Sequence, residues 1–237
     1  MPKPLPAGAV VVAANAGSDY LFVPDGNGDT VRAAVVSLQS RLQFGAIFVS
    51  DRYGAIAGTL PMSLIKTETS GKGRAPDIIV SFSYDEDVAV AGKSGVSYAS
   101  SINRRGDHGS FSPTDTHISL MASGPDFKSG LYDTLPTSNV DIAPTVARIL
   151  KFSMPDVEGR VLEEAMQGGP QVSEYAVVNK THRSSTKAGL TVKLPTDLDG
   201  RGVDPSLSSY SVELKTKILT RDAASYTYFD QAKAVRE

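Results

Sequence analysis

The organisation of this chain follows from residues 104–117, which read RRGDHGSFSPTDTH and which we call the histidine loop. The loop holds two of the chain's three histidines, His108 and His117, together with two carboxylates. A short apolar run, ISLMA at residues 118–122, follows at once and predicts a buried strand. A polar loop that precedes a buried strand is a common place for chemistry in α/β proteins.

The composition is that of an ordinary globular protein. Of 237 residues, 41% are hydrophobic and 21% are charged, which provides enough apolar material for a sizeable core. The net charge of -2 gives no electrostatic attraction to nucleic acid, so we expect no nucleic-acid partner. We also expect no membrane span and no secretion signal, because no long apolar run is present and residues 1–6 lack an apolar region. The compartment is left open.

The histidine loop admits three chemical interpretations. Two imidazoles with Asp107 and Asp115 nearby can ligate a divalent metal, and they can equally pair with phosphate. Because the chain has no cysteine, any metal ligand here is a histidine, a carboxylate or a hydroxyl group. A zinc site needs three or four ligands, so two histidines leave a solvated surface loop as the third interpretation.

The segments before this loop alternate between strand-like and helix-like patterns. Residues 9–23 predict a β-hairpin, and the apolar runs at residues 46–50 and 77–82 predict buried strands. Asp29 or Thr30 is the expected cap of an intervening helix. This helix should bury an apolar stripe consisting of Val31, Ala34, Val35, Leu38 and Leu42. A helix followed by a buried strand is typical of a parallel sheet covered on its faces.

Two further helices are predicted after the loop. Asn139 or Asp141 should cap the first, which carries Pro144 in its first turn, where a missing N–H costs little. Its predicted buried face consists of Ile142, Val146, Ile149 and Leu150. Residues 159–166 predict a short final helix.

The tail, from about residue 170, is rich in strand and turn signals. Alternation at residues 210–215 predicts a half-buried strand. Residues 226–229 should pair with it across a turn at residues 221–223. His182 lies in the polar segment of residues 181–187, which can bind phosphate but which we interpret first as a solvated loop.

An ordered set of short motifs surrounds the histidine loop. They are HGS at 108–110, DTH at 115–117, GPDFK at 124–128, NVDIAPT at 139–145 and EGR at 158–160. Together these motifs resemble the C-terminal part of the alkaline phosphatase superfamily, and within it the type I phosphodiesterase and nucleotide pyrophosphatase branch. The resemblance covers residues 100–166 well and residues 8–83 more loosely.

The resemblance assigns roles to residues of the loop. It implies that His108 is the last histidine ligand of a two-metal centre, with zinc the expected ion. His117 is the competing ligand, and whichever histidine is not the ligand would contact substrate or support the loop. Asp107 and Asp115 would lie outside the ligand set, where they would contact substrate or, as we expect for Asp115, orient an imidazole. Asp107 and His108 also resemble the family's Asp-His ligand pair, although that pair usually stands earlier in the chain.

The family's mechanism needs further groups that this sequence does not show. It uses a Ser or Thr nucleophile beside two metals, an Asp near the N-terminus, and Asp-x-x-x-His and Asp-His pairs upstream. No Asp-x-x-x-His precedes residue 100. We therefore expect the C-terminal part of a phosphoester hydrolase that is inactive alone. The implied partners are a phosphoester substrate and an upstream half or an oligomer partner.

These expectations combine into an alkaline-phosphatase-like α/β fold. Residues 1–168 would form a partial domain with a sheet covered by helices, and residues 169–237 a β-rich C-terminal extension packed on the same domain. The alternative, from a different class, is a non-catalytic binding or interaction module that retains the remnant of the fold. Such a module would expose apolar surface where the other half of the enzyme would pack.

Overall fold

A computed structural model describes residues 5–67, 75–90, 92–97, 108–193, 203–204 and 206–237. The chain divides into two compact units, each assembled from segments that are distant in sequence. Unit 1 comprises residues 1–117, 182–214 and 231–237, and unit 2 comprises residues 118–181 and 215–230. Helices and strands are both present, in open sheets, so the prediction of mixed α/β content is confirmed.

The largest sheet belongs to unit 1. Its strands are β1 (Val11–Asn15), β2 (Ser18–Phe22), β3 (Phe44–Val49), β4 (Leu60–Pro61) and β5 (Ile78–Phe82), in the spatial order β1-β2-β5-β3-β4. β1 and β2 form the predicted antiparallel hairpin. β3 and β5 are the predicted buried strands, and Ile47, Phe48 and Ile78 within them are fully buried.

The expectation of a parallel sheet is wrong for most of this sheet. β5 pairs antiparallel with both β2 and β3, so those two strands run in the same direction without being neighbours. Among the described pairings of this sheet, the short β3–β4 contact is the parallel one. The helix that connects β2 to β3 leaves these two strands running in the same direction, as predicted. However, β5, which comes later in the chain, lies between them and runs the opposite way. Local sequence pattern carries no signal for such an insertion.

Helix α1 (Gly28–Gln39) connects β2 to β3. Its N-cap is Asn27 rather than the predicted Asp29 or Thr30. The side-chain oxygen of Asn27 accepts from the N–H groups of Asp29 and Thr30, at 2.8 and 3.2 Å. The predicted cap residues are thus the ones that are capped, as expected for the second and third positions of a helix. The predicted apolar stripe is confirmed in part: Val31, Val35 and Leu38 are buried, Ala34 is half-buried, and Leu42 lies beyond the end of the helix.

Three smaller elements complete the first half of unit 1. β6 (Tyr84–Val90) and β7 (Lys93–Ser97) pair as an antiparallel hairpin. The helix α2 (Pro113–Thr116) is a single turn that lies within the histidine loop. It brings the loop's second half back toward β7, where the side chains of Ser112 and Thr114 donate to the C=O groups of Gly95 and Ser94.

Helix α3 (Ile142–Ile149) of unit 2 forms where it is predicted, with Asp141 at its N-cap position. Its predicted buried face, however, is wrong. Ile142, Val146 and Leu150 are 43%, 43% and 65% exposed. The buried residues of the helix are instead Pro144, Thr145 and Ala147. The reversal has a physical cause, because Asp141 and Thr145 are hydrogen-bonded to the segment that follows residue 159.

Two other predictions in unit 2 are wrong. Residues 118–122 form neither helix nor strand and are exposed, with Met121 92% exposed. An apolar run becomes a strand when a neighbouring edge satisfies its backbone groups, and these residues join no described sheet. The predicted final helix shortens to one 3-10 turn, Glu163–Ala165.

The C-terminal part of the chain is rich in strands. They are β8 (Ala176–Arg183), β9 (Val192–Lys193), β10 (Val203–Asp204), β11 (Tyr210–Arg221) and β12 (Ala224–Arg236). β9 pairs with β10, and the other three form a sheet in the order β12-β11-β8. The predicted hairpin across residues 221–223 is therefore confirmed as β11 and β12. None of the described helices is long and apolar enough to cross a membrane.

Candidate functional site

The described part of the histidine loop is fixed to one end of the five-stranded sheet. The N–H of Gly17, in the β1–β2 turn, donates to the C=O of His108 at 2.7 Å. The N–H of Phe111 donates to Oγ of Ser81 in β5 at 3.0 Å. The ring of Phe111 packs edge-on against Phe48 of β3, with 5.5 Å between ring centres. The backbone beside His108 is therefore held against buried strands of the five-stranded sheet.

Two glycines allow this close approach. Gly109 has a φ of +88°, in the left-handed region, and a Cβ there would lie 2.7 Å from the carbonyl oxygen of Asn15. A Cβ at Gly17 would collide with the backbone nitrogen of Ser110. The path of the backbone beside His108 therefore depends on glycine on both sides of the contact.

The second half of the loop is tied down through α2. Ser112 caps this helix, accepting from the N–H of Thr114 at 3.2 Å, and its hydroxyl donates to the C=O of Gly95 in β7. Oδ2 of Asp115 accepts from the N–H of Ser110 at 2.9 Å. Asp115, predicted to orient an imidazole, thus holds the backbone two residues after His108.

The predicted ligands His108 and His117 both lie at the surface of the loop. Asp107 lies outside the described residues. Within the described part of the chain, no group of three His, Asp or Glu side chains is placed to hold a metal ion. Because zinc takes three or four protein or solvent ligands, the described residues do not fit a complete zinc centre. The assignment of His108 and His117 as ligands stays a prediction.

In unit 2, the motifs at residues 139–145 and 158–160 build a buried polar cluster, which consists of Asp141, Arg160, Glu164 and Tyr228. The carboxylate of Asp141 accepts from the N–H groups of Ser138 and Arg160, at 2.9 and 2.8 Å. The hydroxyl of Tyr228 donates to Asp141 at 3.0 Å and accepts from Nε of Arg160 at 2.8 Å. This cluster fastens α3 to the segment that follows it and to β12.

Arg160 and Glu164 form the ionic centre of the polar cluster. The guanidinium donates to both carboxylate oxygens at 2.7 Å, and the side chains are 3% and 0% exposed. Burial opposes both charges, but the paired hydrogen bonds outweigh it. The pKa of Arg160 is therefore raised and the pKa of Glu164 lowered from their ordinary values.

Two further motif residues close the cluster. Oγ1 of Thr145 donates to the C=O of Asp141 at 2.7 Å and accepts from the N–H of Leu162 at 3.0 Å. A Cβ at Gly159 would collide with the carbonyl oxygen of Val140, so glycine is required there for close packing. Thr145 is buried and Gly159 is half-buried, and both contribute to the packing of α3 against the segment that follows it.

Sequence reasoning missed two members of the polar cluster. Glu164 stands four positions after Arg160, a spacing typical of a helical ion pair, and this signal was readable. Tyr228 is 68 residues from Arg160, and nothing in the local sequence indicates the contact.

No family model, curated protein or solved structure matches the chain. Function is therefore inferred from two arrangements of residues. They comprise an exposed imidazole, His108, on an anchored loop of unit 1, and a buried ionic cluster in unit 2. The imidazole can ligate a metal or pair with a phosphate. The buried cluster can hold α3 and its neighbouring segments in one arrangement.

Proposed function

We propose that this chain is the C-terminal part of a metal-dependent phosphoester hydrolase, a phosphodiesterase-like member of the alkaline phosphatase superfamily. The observation that carries the proposal is the anchoring of His108. Its C=O and the amides of Ser110 and Phe111 are hydrogen-bonded within unit 1, while the residue itself is exposed. A ligand held by its backbone and open to solvent is preorganised for binding. The ordered motifs from residue 108 to residue 160 support the same family.

In this proposal His108 contributes one imidazole nitrogen to a divalent metal, with zinc the expected ion and His117 the competing ligand. A metal bound there would polarise a phosphoester and stabilise its attacking and leaving oxygens. The described residues leave the ligand set incomplete. The remaining ligands and the nucleophile would then come from an upstream half or a partner chain, and this chain alone would be inactive.

Calorimetric titration with zinc tests the proposal, with turnover of a chromogenic phosphodiester measured in parallel. We expect weak binding, with a Kd of roughly 10 μM to 1 mM, because few protein ligands are present. His108→Ala should weaken binding by about tenfold or more, whereas the matched control His182→Ala should leave it unchanged. Equal affinity of the His108→Ala and wild-type chains would contradict the role of His108. Tight binding with turnover would contradict the incompleteness.

A second candidate function, a non-catalytic interaction module, is favoured by one observation. Unit 2 exposes many large apolar side chains, among them Ile118, Met121, Tyr132, Ile142, Leu150 and Phe152. Apolar surface of this extent is typical of protein contact sites. A monodisperse chain with cooperative, metal-independent unfolding would favour this module. Aggregation that a partner chain relieves would favour the split hydrolase.

A further inference from the structure

The five-stranded sheet of unit 1 ends in an exposed strand, β1. Its residues from Val11 to Ala14 are all exposed, so the strand is open to solvent on both of its faces. Val12, near its centre, is 56% exposed. Residues 9–14 read AVVVAA and carry no charge. β1 therefore presents small or β-branched, uncharged side chains at an open edge of the sheet.

The hydrogen bonds of β2 show which of its residues face β1. The C=O of Leu21 accepts from the N–H of Asp77 at 2.8 Å. The C=O of Gly17 accepts from the N–H of Phe82 at 3.0 Å. Both of these acceptors lie on the side of β5. Successive residues of an antiparallel strand bond to alternate sides, so the odd-numbered residues of β2 bond to β5 and the even-numbered residues bond to β1.

The same alternation identifies the backbone groups of β1 that point away from the sheet. Asn15 lies opposite Ser18, an even-numbered residue of β2, so the odd-numbered residues of β1 are the ones that bond to β2. The N–H and C=O groups of the intervening residues point outward, and these residues are Val10, Val12 and Ala14. No hydrogen bond links these groups to any part of the chain that the structure describes.

Two other edge strands carry the usual protection against pairing with another chain. β4, at the opposite edge of the same sheet, is two residues long and ends in Pro61, which has no N–H to donate. β8 is an edge of the three-stranded sheet and is largely exposed, but it carries Lys180 and Arg183. β1 contains neither a proline nor a charged residue. Its edge is therefore able to accept a further strand.

We propose that β1 pairs with β1 of a second copy of this chain, antiparallel and about a two-fold axis at Val12. In this register Val12 lies opposite Val12 of the second copy, and Val10 lies opposite Ala14. Each pair joins outward-facing residues, which exchange two N–H···O=C bonds. Because residues 9–14 are uncharged, no like charges oppose the contact. The interface needs no metal and no histidine, so it goes beyond the proposed function and is independent of it.

The chain on either side of β1 disfavours the neighbouring registers. A shift in one direction places Ala14 opposite Gly8, whose N–H already donates to Oδ2 of Asp25 at 2.9 Å. A shift in the other direction places Val10 opposite Ala16, which lies in the β1–β2 turn with a φ of +60°. The central register alone satisfies all the outward-facing groups. This fit of the strand to itself is why we infer a second copy as the occupant.

Sedimentation velocity of the full chain tests the interface. We expect a monomer–dimer equilibrium with a Kd of roughly 10–100 μM, because the interface is small. Val12→Lys places like charges at the two-fold axis and should weaken association by about tenfold or more. The matched control Val178→Lys, at a residue of β8 that is 57% exposed, should leave it unchanged. A wild-type chain that is monomeric at about 1 mM would overturn the proposal, and so would equal effects of the two variants.

Disulfide cross-linking tests the register, because the chain has no cysteine of its own. In the proposed register Val11 lies opposite Ala13 of the second copy, with the two Cα atoms about 4.5 Å apart and within disulfide range. Like residues of the two copies lie farther apart, at about 7–8 Å. A mixture of Val11→Cys and Ala13→Cys chains should therefore cross-link faster under mild oxidation than either chain alone. Preferential linkage of Val11→Cys chains to each other, or equal rates in all three samples, would overturn the proposal.

Discussion

The two units of this chain are stabilised in opposite ways. Unit 1 buries aliphatic and aromatic side chains from its sheet and α1, including Val31, Val35, Ile47, Phe48, Ile78 and Val80. Unit 2 buries Asp141, Thr145, Arg160 and Glu164 beside a few apolar residues, and it leaves the apolar stripe of α3 outside. Burial of apolar surface is stabilising without a specific partner, whereas buried charges are tolerated only when every partner is in place. Unit 1 therefore has a mainly apolar core, whereas unit 2 has a hydrogen-bonded polar cluster and exposed apolar side chains.

The largest effect is expected from damage to the apolar core. Phe48→Ala should lower the free energy of unfolding by about 4 kcal/mol, because it removes a fully buried ring and leaves a cavity. Val36→Ala on the exposed side of α1 is the matched control and should change stability by less than about 0.5 kcal/mol. Denaturant unfolding measures both. A loss below about 1 kcal/mol for Phe48→Ala would show that unit 1 does not depend on this core.

The next largest effect should come from the polar cluster. Glu164→Gln should cost about 3 kcal/mol, because it leaves the buried guanidinium of Arg160 without its counter-charge. Asp29→Asn, in the exposed pair with Arg32, should cost less than about 0.5 kcal/mol. Equal losses for the two variants would remove the distinction between a buried cluster and a surface ion pair.

The cluster also predicts a pH dependence that an apolar core lacks. Because Arg160 lowers the pKa of Glu164 below its ordinary value of 4.5, this contribution is complete above that pH. It should decline as the pH falls from 4.5 through the lower folded pKa. The free energy of unfolding, measured from pH 7 downward, should therefore fall less steeply with acid in Glu164→Gln than in the wild-type chain. An unchanged acid profile would contradict the ionic assignment.

A smaller effect is expected where the histidine loop contacts the β1–β2 hairpin. Gly109→Ala should cost about 2 kcal/mol, because a Cβ strains the left-handed backbone and crowds the C=O of Asn15. Gly26→Ala has a similar φ of +65° but open space around the Cβ, and should cost about 1 kcal/mol. Thermal unfolding of both variants gives the comparison. Equal losses would show that the contact with Asn15 does not constrain the loop.

The smallest effect concerns the uncovered stripe of α3. Leu150→Ser should change stability by no more than about 0.5 kcal/mol, because the side chain is already 65% exposed. The same change should reduce binding of a dye that reports apolar surface. A loss of about 2 kcal/mol or more, typical of a core leucine, would show that the stripe is covered in the folded chain.

The sequence predicted the elements of unit 1 better than those of unit 2, for a physical reason. The hairpin of residues 9–23, the stripe of α1 and the strands β3 and β5 follow from apolar periodicity, and an apolar core obeys that signal. Insertion of β5 between β2 and β3 is a tertiary event that no local pattern encodes. In unit 2 the same periodicity predicted the wrong face of α3, because hydrogen bonds of Asp141 and Thr145 override it.

The sequence predicts where in the chain the candidate site lies. It does not predict which contacts hold the site in place. The loop's histidines, glycines and turn residues mark residues 104–117 as the place for chemistry. The hydrogen bond of Asp115 to the Ser110 amide depends on how the loop folds on itself, and the approach of Gly109 to Asn15 depends on the loop meeting the sheet. Both are long-range or conformational facts that residue identity alone does not specify.

The most direct test of the proposed role of His108 is an NMR titration of the imidazole resonances with zinc. The chain has three histidines, His108, His117 and His182, so each can be assigned by substitution. The proposal predicts that the imidazole resonance of His108 shifts at the lowest zinc concentration. A first shift of the His117 resonance would make His117 the ligand instead, and the His182 resonance should stay unchanged until a much higher zinc concentration. Simultaneous shifts of all three resonances, or a first shift at His182, would contradict the proposal that the histidine loop is the metal-binding edge of this chain.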